Sequence, residues 1–273
     1  MVDIRQSSQY AKYLSQIGWI VERESSINYF IKKIPFLGCV IKIQRPEGIK
    51  IVKIKELCKK YRVFQVIIEP KTKLDAKYLN SLGYKLLKTP YLPTKTLYLD
   101  LTKSKNEITK QFKKDCINAI TRNNDLEIKD YKFKDIETFR KGWKKVVKEK
   151  RHVPSIDELK ALKKAFNNNV LFLGIKDKSK AISGGVFLKS NRIAYYWHGF
   201  SDQNARTLQA QYKIVWESIC WAKTCGTKLF DFEGIYDPRF PNPKWMGFSH
   251  FKKSFGGEEK EFPGAFTKYF LPL

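Results

Sequence analysis

Glycine-built phosphate sites are missing from this chain. It has no GxxxxGK[ST] loop, no GxGxxG after a strand, no GxSxG elbow and no HExxH pair, which removes the common nucleotide, hydrolase and zinc-protease machines. Histidine is scarce: His152, His198 and His250 are too scattered for a metal site or a triad, and His198, within Tyr-Tyr-Trp-His-Gly, reads as a core or cleft residue. The five cysteines (Cys39, Cys58, Cys116, Cys220, Cys225) show no CxxC spacing, so reduced, mostly buried thiols in a cytoplasmic protein are expected rather than a zinc centre. The longest apolar run covers eight residues, 34–41, against the ~20 of a membrane helix. The first eight residues lack an apolar segment, so no secretory signal is expected.

Arginine is also thin, at 10 against 43 lysines. Base reading leans on the planar arginine fork, whereas this balance suits diffuse attraction to a polyanion. Lys+Arg total 53 and Asp+Glu 27, giving 53 − 27 = +26. That charge points to nucleic acid, an anionic membrane or a phosphorylated substrate; a biased genome composition would leave the same mark. Residues 50–95 alone carry 12 basic and 3 acidic side chains, a net +9.

At 273 residues, 42% hydrophobic and 14% aromatic, the chain can build one large or two small packed domains. Its first part alternates: a helix over 10–14 closed at Gly18 and followed after Trp19 by a strand, then strand 40–44, helix 51–61, strand 63–69, helix 75–82 and strand 94–100, with Pro90 and Pro93 as a linker. The second part opens with a basic helix over 103–122 and further helices over 135–151 and 155–167, the last with Ser155 and Glu158 spaced as a capping box. Strands 170–175, 181–189 and 192–199 follow, the last two joined at Ser190-Asn191. After a loop over 201–205, residues 206–225 read as one amphipathic helix with Leu208, Tyr212, Val215, Trp216, Ile219 and Ala222 on its stripe. Gly226 ends it and a strand over 228–233 begins.

The order strand, hairpin, loop, long helix, strand is the one by which GCN5-related N-acetyltransferases (GNAT) present an acyl donor. Those enzymes grip coenzyme A with a glycine-rich loop before the long helix. Here that stretch, residues 204–212, keeps Arg206 but has no glycine, so a close pyrophosphate cradle is not expected.

Several segments resemble the FemABX aminoacyltransferases: Tyr195-Tyr-Trp-His-Gly199, Arg206, Trp216-Glu-Ser-Ile-Cys-Trp-Ala-Lys223, Phe230-Asp-Phe-Glu-Gly234, and the run from Gly247 through Phe251-Lys252 and Phe255-Gly256 to Gly264. Gln6-Ser-Ser-Gln-Tyr10 with Gly18-Trp19 is similar to the family's opening motif. Pro93 and Leu99-Asp-Leu101 before a basic helix add to it. The resemblance implies an α/β (α+β) fold of two tandem GNAT-like domains with mixed sheets. It divides the chain into a truncated first domain over 1–95, a second over 96–250, and a segment over 251–273 returning toward the first domain and the cleft. The implied activity transfers an amino acid from aminoacyl-tRNA to the peptide of a nucleotide-linked (UDP) or lipid-linked muramyl-pentapeptide. It needs no metal or cofactor beyond aminoacyl-tRNA as co-substrate. The protein is expected in the cytoplasm, with peripheral contact at the anionic inner membrane face.

Transfer from an activated ester asks mainly for positioning, oxyanion stabilisation and a route for the amine proton. Lys252, with Phe251 beside it, occupies the family's catalytic-lysine position; otherwise it is one more solvated lysine. Arg206, before the long helix, matches a pyrophosphate-binding arginine or else caps a loop. Tyr212 faces either the same groove or the core. Asp231 and Glu233 alternate on strand 228–233, and so share one face, either to orient the amine or to pair with a lysine. Where the family has a phosphate-binding lysine this chain has Leu14, and Lys12, two residues earlier, is the candidate substitute. Two rival readings remain: an acyl-coenzyme A N-acyltransferase, and a non-catalytic RNA- or membrane-binding protein on the same scaffold.

Overall fold

A computed structural model describes residues 1–149, 151–177 and 180–270. The chain forms two compact units, one of residues 1–95, 236–243 and 260–273, the other of residues 96–235 and 244–259. Residues 271–273 of the expected returning segment, and Lys150 of the expected helix over 135–151, lie outside the described residues.

In the first unit, α1 (Ser8–Gln16) starts where the Ser7 side chain accepts from the Tyr10 amide. It leads into an antiparallel meander of β1 (Ile20–Glu24), β2 (Ile27–Ile34) and β3 (Gly38–Gln44). Then α2 (Ile51–Tyr61) crosses to β4 (Val63–Glu69), parallel to β3, followed by α3 (Lys73–Ser81) and β5 (Lys85–Leu86). The helix 51–61 and strand 63–69 fall where the spacing puts them. β2 went unread, because five consecutive buried residues, Ile27 to Ile31, erase the alternation by which half-buried strands are recognised.

The second unit begins with β6 (Lys95–Asp100), α4 (Lys105–Thr109), α5 (Lys114–Arg122), β7 (Ile128–Asp130), α6 (Ile136–Val147) and α7 (Ile156–Phe166). It continues with β8 (Val170–Asp177), β9 (Lys180–Ser190), β10 (Ile193–Ser201), α8 (Gln203–Thr207), α9 (Ala210–Thr224) and β11 (Leu229–Asp231). Last come α10 (Met246–Lys253) and β12 (Glu258–Glu261), whereas β13 (Phe266–Tyr269) belongs to the first unit, where it pairs with β4 and β5. The sheets run β1-β2-β3-β4-β13-β5 and β12-β6-β11-β10-β9-β8-β7, both mixed. The fold class is therefore the expected one.

Three expected elements are corrected. The helix over 103–122 is two helices, because the Lys113 amide leaves the helical pattern to donate to the Ser254 carbonyl at 2.8 Å. The helix over 206–225 is also two, broken at Gln209 with φ +56°; Leu208 is consequently exposed rather than on the core stripe. The β9–β10 turn lies at Asn191-Arg192, both with positive φ, one residue later than expected.

One sheet feature creates room for a site. β10 pairs in parallel with β11 only over Ile193 to Tyr195, yet runs on to Ser201 against β9, with a bulge between Tyr196 and His198. The two parallel neighbours therefore part after Tyr195 and leave a wedge.

Candidate active site

The wedge is bounded by Tyr196 on β10 and the backbone after β11. Strand β11 stops at Asp231 because Glu233 and Gly234 take left-handed backbone angles, φ +52° and +107°. The expectation that Asp231 and Glu233 share a strand face is thus corrected. Asp231 is fully buried and organises the turn, accepting from the Thr96 hydroxyl and from the Glu233 amide at 2.8 Å, while the Gly234 amide donates to Thr96.

These angles turn consecutive carbonyls inward, onto Lys252 in the last turn of α10. Its Nζ donates to the carbonyls of Phe232 at 2.6 Å and Gly234 at 2.7 Å, with that of Glu233 at 3.5 Å. The Tyr196 ring lies 5.5 Å away and the Phe248 ring 5.0 Å. Only 7% of Lys252 is exposed. Burial lowers its pKa to about 8; the Glu233 and Asp231 charges pull it back up, and Arg151 adds to the lowering. Two ammonium protons are firmly held and the third has only the long Glu233 contact, so a substrate oxygen can compete for it. An ammonium in a nearly dry cage is an effective partner for developing negative charge.

Tyr196 is held by Gln211, whose amide donates to the phenol oxygen at 2.7 Å. Gly199 makes this geometry feasible, since a Cβ there would stand 2.0 Å from that oxygen. Burial raises the phenol pKa, so Tyr196 stays protonated. Arg151, exposed just beyond α6, donates to the Gly199 carbonyl at 2.6 Å. Its charge acts on Lys252, Tyr196 and His198 alike. Sequence reasoning missed it, and its only signal was adjacency to a basic helix. His198 sits half-buried against Trp143, and burial, aided by Arg151 and His152, lowers its pKa to about 4.

The other predicted residues are not among the groups that hold Lys252. The Phe251 ring packs on Tyr212 at 4.7 Å and Phe255 at 5.6 Å, and Tyr212 is a core residue. Arg206 is exposed on α8 and donates to the Ser201 carbonyl at 3.4 Å. Lys12 is exposed on α1, in the first unit. Where a coenzyme A cradle would need free amides, the N–H groups of Arg206, Leu208, Gln209 and Tyr212 already donate to carbonyls of the same turn.

A second charged feature lies on α6. Phe139 and Trp143 bury its inner face, Trp143 stacking on Phe200 at 5.3 Å. The opposite side presents Lys141, Lys144 and Lys145, exposed and in no ion pair among the described residues. They line a groove of about 490 Å³ with Arg140, and Lys141 and Lys145 also line an adjoining one of about 230 Å³ with Lys176.

The FemAB family model matches residues 98–273. The crystal structure of FemX has a TM-score of 0.81 to this chain at 14% identity, covering 98% of this chain and 92% of that one. L-PGS from Bacillus licheniformis gives 0.64 at 11%, covering 94% and 85%. A tandem GNAT protein from the clavulanic acid biosynthesis pathway gives 0.53 at 9%, covering 99% and 97%. At such identities these likenesses are likenesses of fold. Comparison with curated proteins finds no match.

Proposed function

The chain belongs to the FemAB family, and from that premise we propose that it transfers an amino acid from aminoacyl-tRNA to a peptide amine of a peptidoglycan precursor. The observation that carries this reading is the buried Lys252 ammonium, held by carbonyls within the block that resembles the family. The amine nitrogen attacks the ester carbonyl carbon, an amide forms, and the bond to the tRNA ribose oxygen breaks, that oxygen leaving with a proton. Lys252 donates to the oxyanion of the intermediate, and Tyr196, Asp231 and the turn at Glu233 fix its position. The basic side of α6 attracts the tRNA backbone. An acyl-coenzyme A donor has less support, since the amides before α9 are already engaged.

The test is transfer of radiolabelled amino acids from a mixed aminoacyl-tRNA pool to muramyl-pentapeptide, nucleotide-linked and lipid-linked, beside Lys252→Ala. Label in the precursor, abolished by RNase and reduced at least tenfold by the variant, is expected. No transfer to either acceptor, despite salt-sensitive tRNA binding, would overturn the reading.

A further inference from the structure

The β2–β3 connection is built against ordinary turn chemistry. The Leu37 amide donates to the Ile34 carbonyl at 3.2 Å, Pro35 takes the second position, and Phe36 takes the third with φ +65°. This is a type II turn, whose third position calls for glycine or asparagine. A phenylalanine there is strained, and its ring gains no packing in return: Phe36 is fully exposed and Leu37 is 58% exposed.

Strand register shows what else shares this end of the sheet. Ile20, at the start of β1, pairs with Ile31, three residues before the turn, and is itself exposed. Trp19 precedes it, with the ammonium groups of Lys32 and Lys42 each 5.6 Å from its ring. The Arg62 carbonyl, just before β4, accepts from Cys39. Tyr269, at the end of β13, pairs with Gln65 near the start of β4 and is 65% exposed. One sheet end therefore carries aliphatic and aromatic side chains in water, with Trp and Tyr at their margins.

The charge around them is mostly positive, and the nearby carboxylate of Glu22 is held by Lys60. No acidic residue lies between Ile27 and Arg45. Lys33, Lys59 and Arg62 are exposed and in no ion pair among the described residues. We propose that this end of the first unit's sheet docks on an anionic lipid bilayer. Phe36 and Leu37 enter the acyl boundary, Trp19 and Tyr269 lie at headgroup depth, and the cations meet lipid phosphates. RNA would satisfy the cations but would leave Leu37 and Ile20 in water, which favours lipid as the occupant.

The experiment is co-sedimentation of the full chain with phosphatidylglycerol/phosphatidylcholine vesicles and with phosphatidylcholine vesicles. Binding to the anionic vesicles, weakened by salt, is expected. Phe36→Gly should weaken it at least tenfold without lowering Tm, because glycine suits the left-handed position; this separates lost docking from lost folding. Lys33→Glu with Arg62→Glu should weaken it by a similar factor, and Lys252→Ala should bind as the parent does. Parent protein left in the supernatant with both vesicle types would overturn the proposal, as would Phe36→Gly binding unchanged. Loss of tRNA binding in Phe36→Gly with vesicle binding intact would also overturn it and assign the face to RNA. No acceptor or tRNA enters the vesicle measurement, so its result stands whether or not aminoacyl transfer is found.

Discussion

An ammonium drawn into a nearly dry cage alters both chemistry and stability. Lys252 has its pKa lowered by burial from 10.5 to about 8, a difference worth on the order of 3 kcal/mol. The unfolded chain holds this proton up to higher pH than the folded one does, so the unfolded state binds more protons between pH 8 and 10.5. Stability contributed by this group therefore rises with pH through that window, and below it the cost of the buried charge is constant. Lys252→Met should show a shallower rise, or a steeper fall, of Tm than the parent between pH 8 and 10, measured by parallel thermal melts. The proposed catalysis has the opposite sign, because in it the protonated form donates to the oxyanion. The transfer rate should fall above about pH 8, and a rate flat to pH 10 would remove Lys252 from that role. His198, lowered to about 4, is neutral at pH 7 and adds no step to the profile there.

Among the elements, capped ends were readable and backbone breaks were not. Ser155 and Glu158 form the expected reciprocal cap, the Glu158 amide donating to the Ser155 hydroxyl at 3.0 Å and the Ser155 amide to the Glu158 carboxylate at 2.6 Å. Ser155→Ala should lower stability by about 1 kcal/mol, checked by urea unfolding with an unchanged m-value. The stripe from Tyr212 to Ala222 holds in α9, but apolar spacing carries no sign of Gln209 turning left-handed ahead of it. Lys113 is similar: what draws its amide out of the helix is Ser254, far away in sequence. Such breaks are decided by distant partners, which periodicity does not sense.

Across the whole molecule, the formal charge of +26 acts through its distribution rather than its sum. On α6 the lysines line grooves and are in no ion pair among the described residues, whereas others, such as Lys60 with Glu22 and Lys50 with Glu24, are neutralised. Replacing Lys141, Lys144 and Lys145 together with Gln should weaken tRNA binding and reduce the slope of log K against log salt by roughly two to three. Filter binding at several salt concentrations measures this, and an unchanged slope would remove α6 from the tRNA surface. Folding should be unaffected, since the buried side of the helix is Phe139 and Trp143.

The alternation of apolar strands and helices, the helix cap at Ser155 and the FK pair before Phe255-Gly256 were legible from the chain alone, because each is written in residues close in sequence. The wedge after Tyr195, the carbonyls that converge on Lys252, and the approach of Arg151 to Gly199 were not. They join residues tens of positions apart, and their geometry depends on where a strand pair separates and where two residues turn left-handed. Local pattern determined where most of the helices and strands lie. Packing between distant ones decided that, of 43 lysines, Lys252 would sit nearly dry with its charge held by carbonyls.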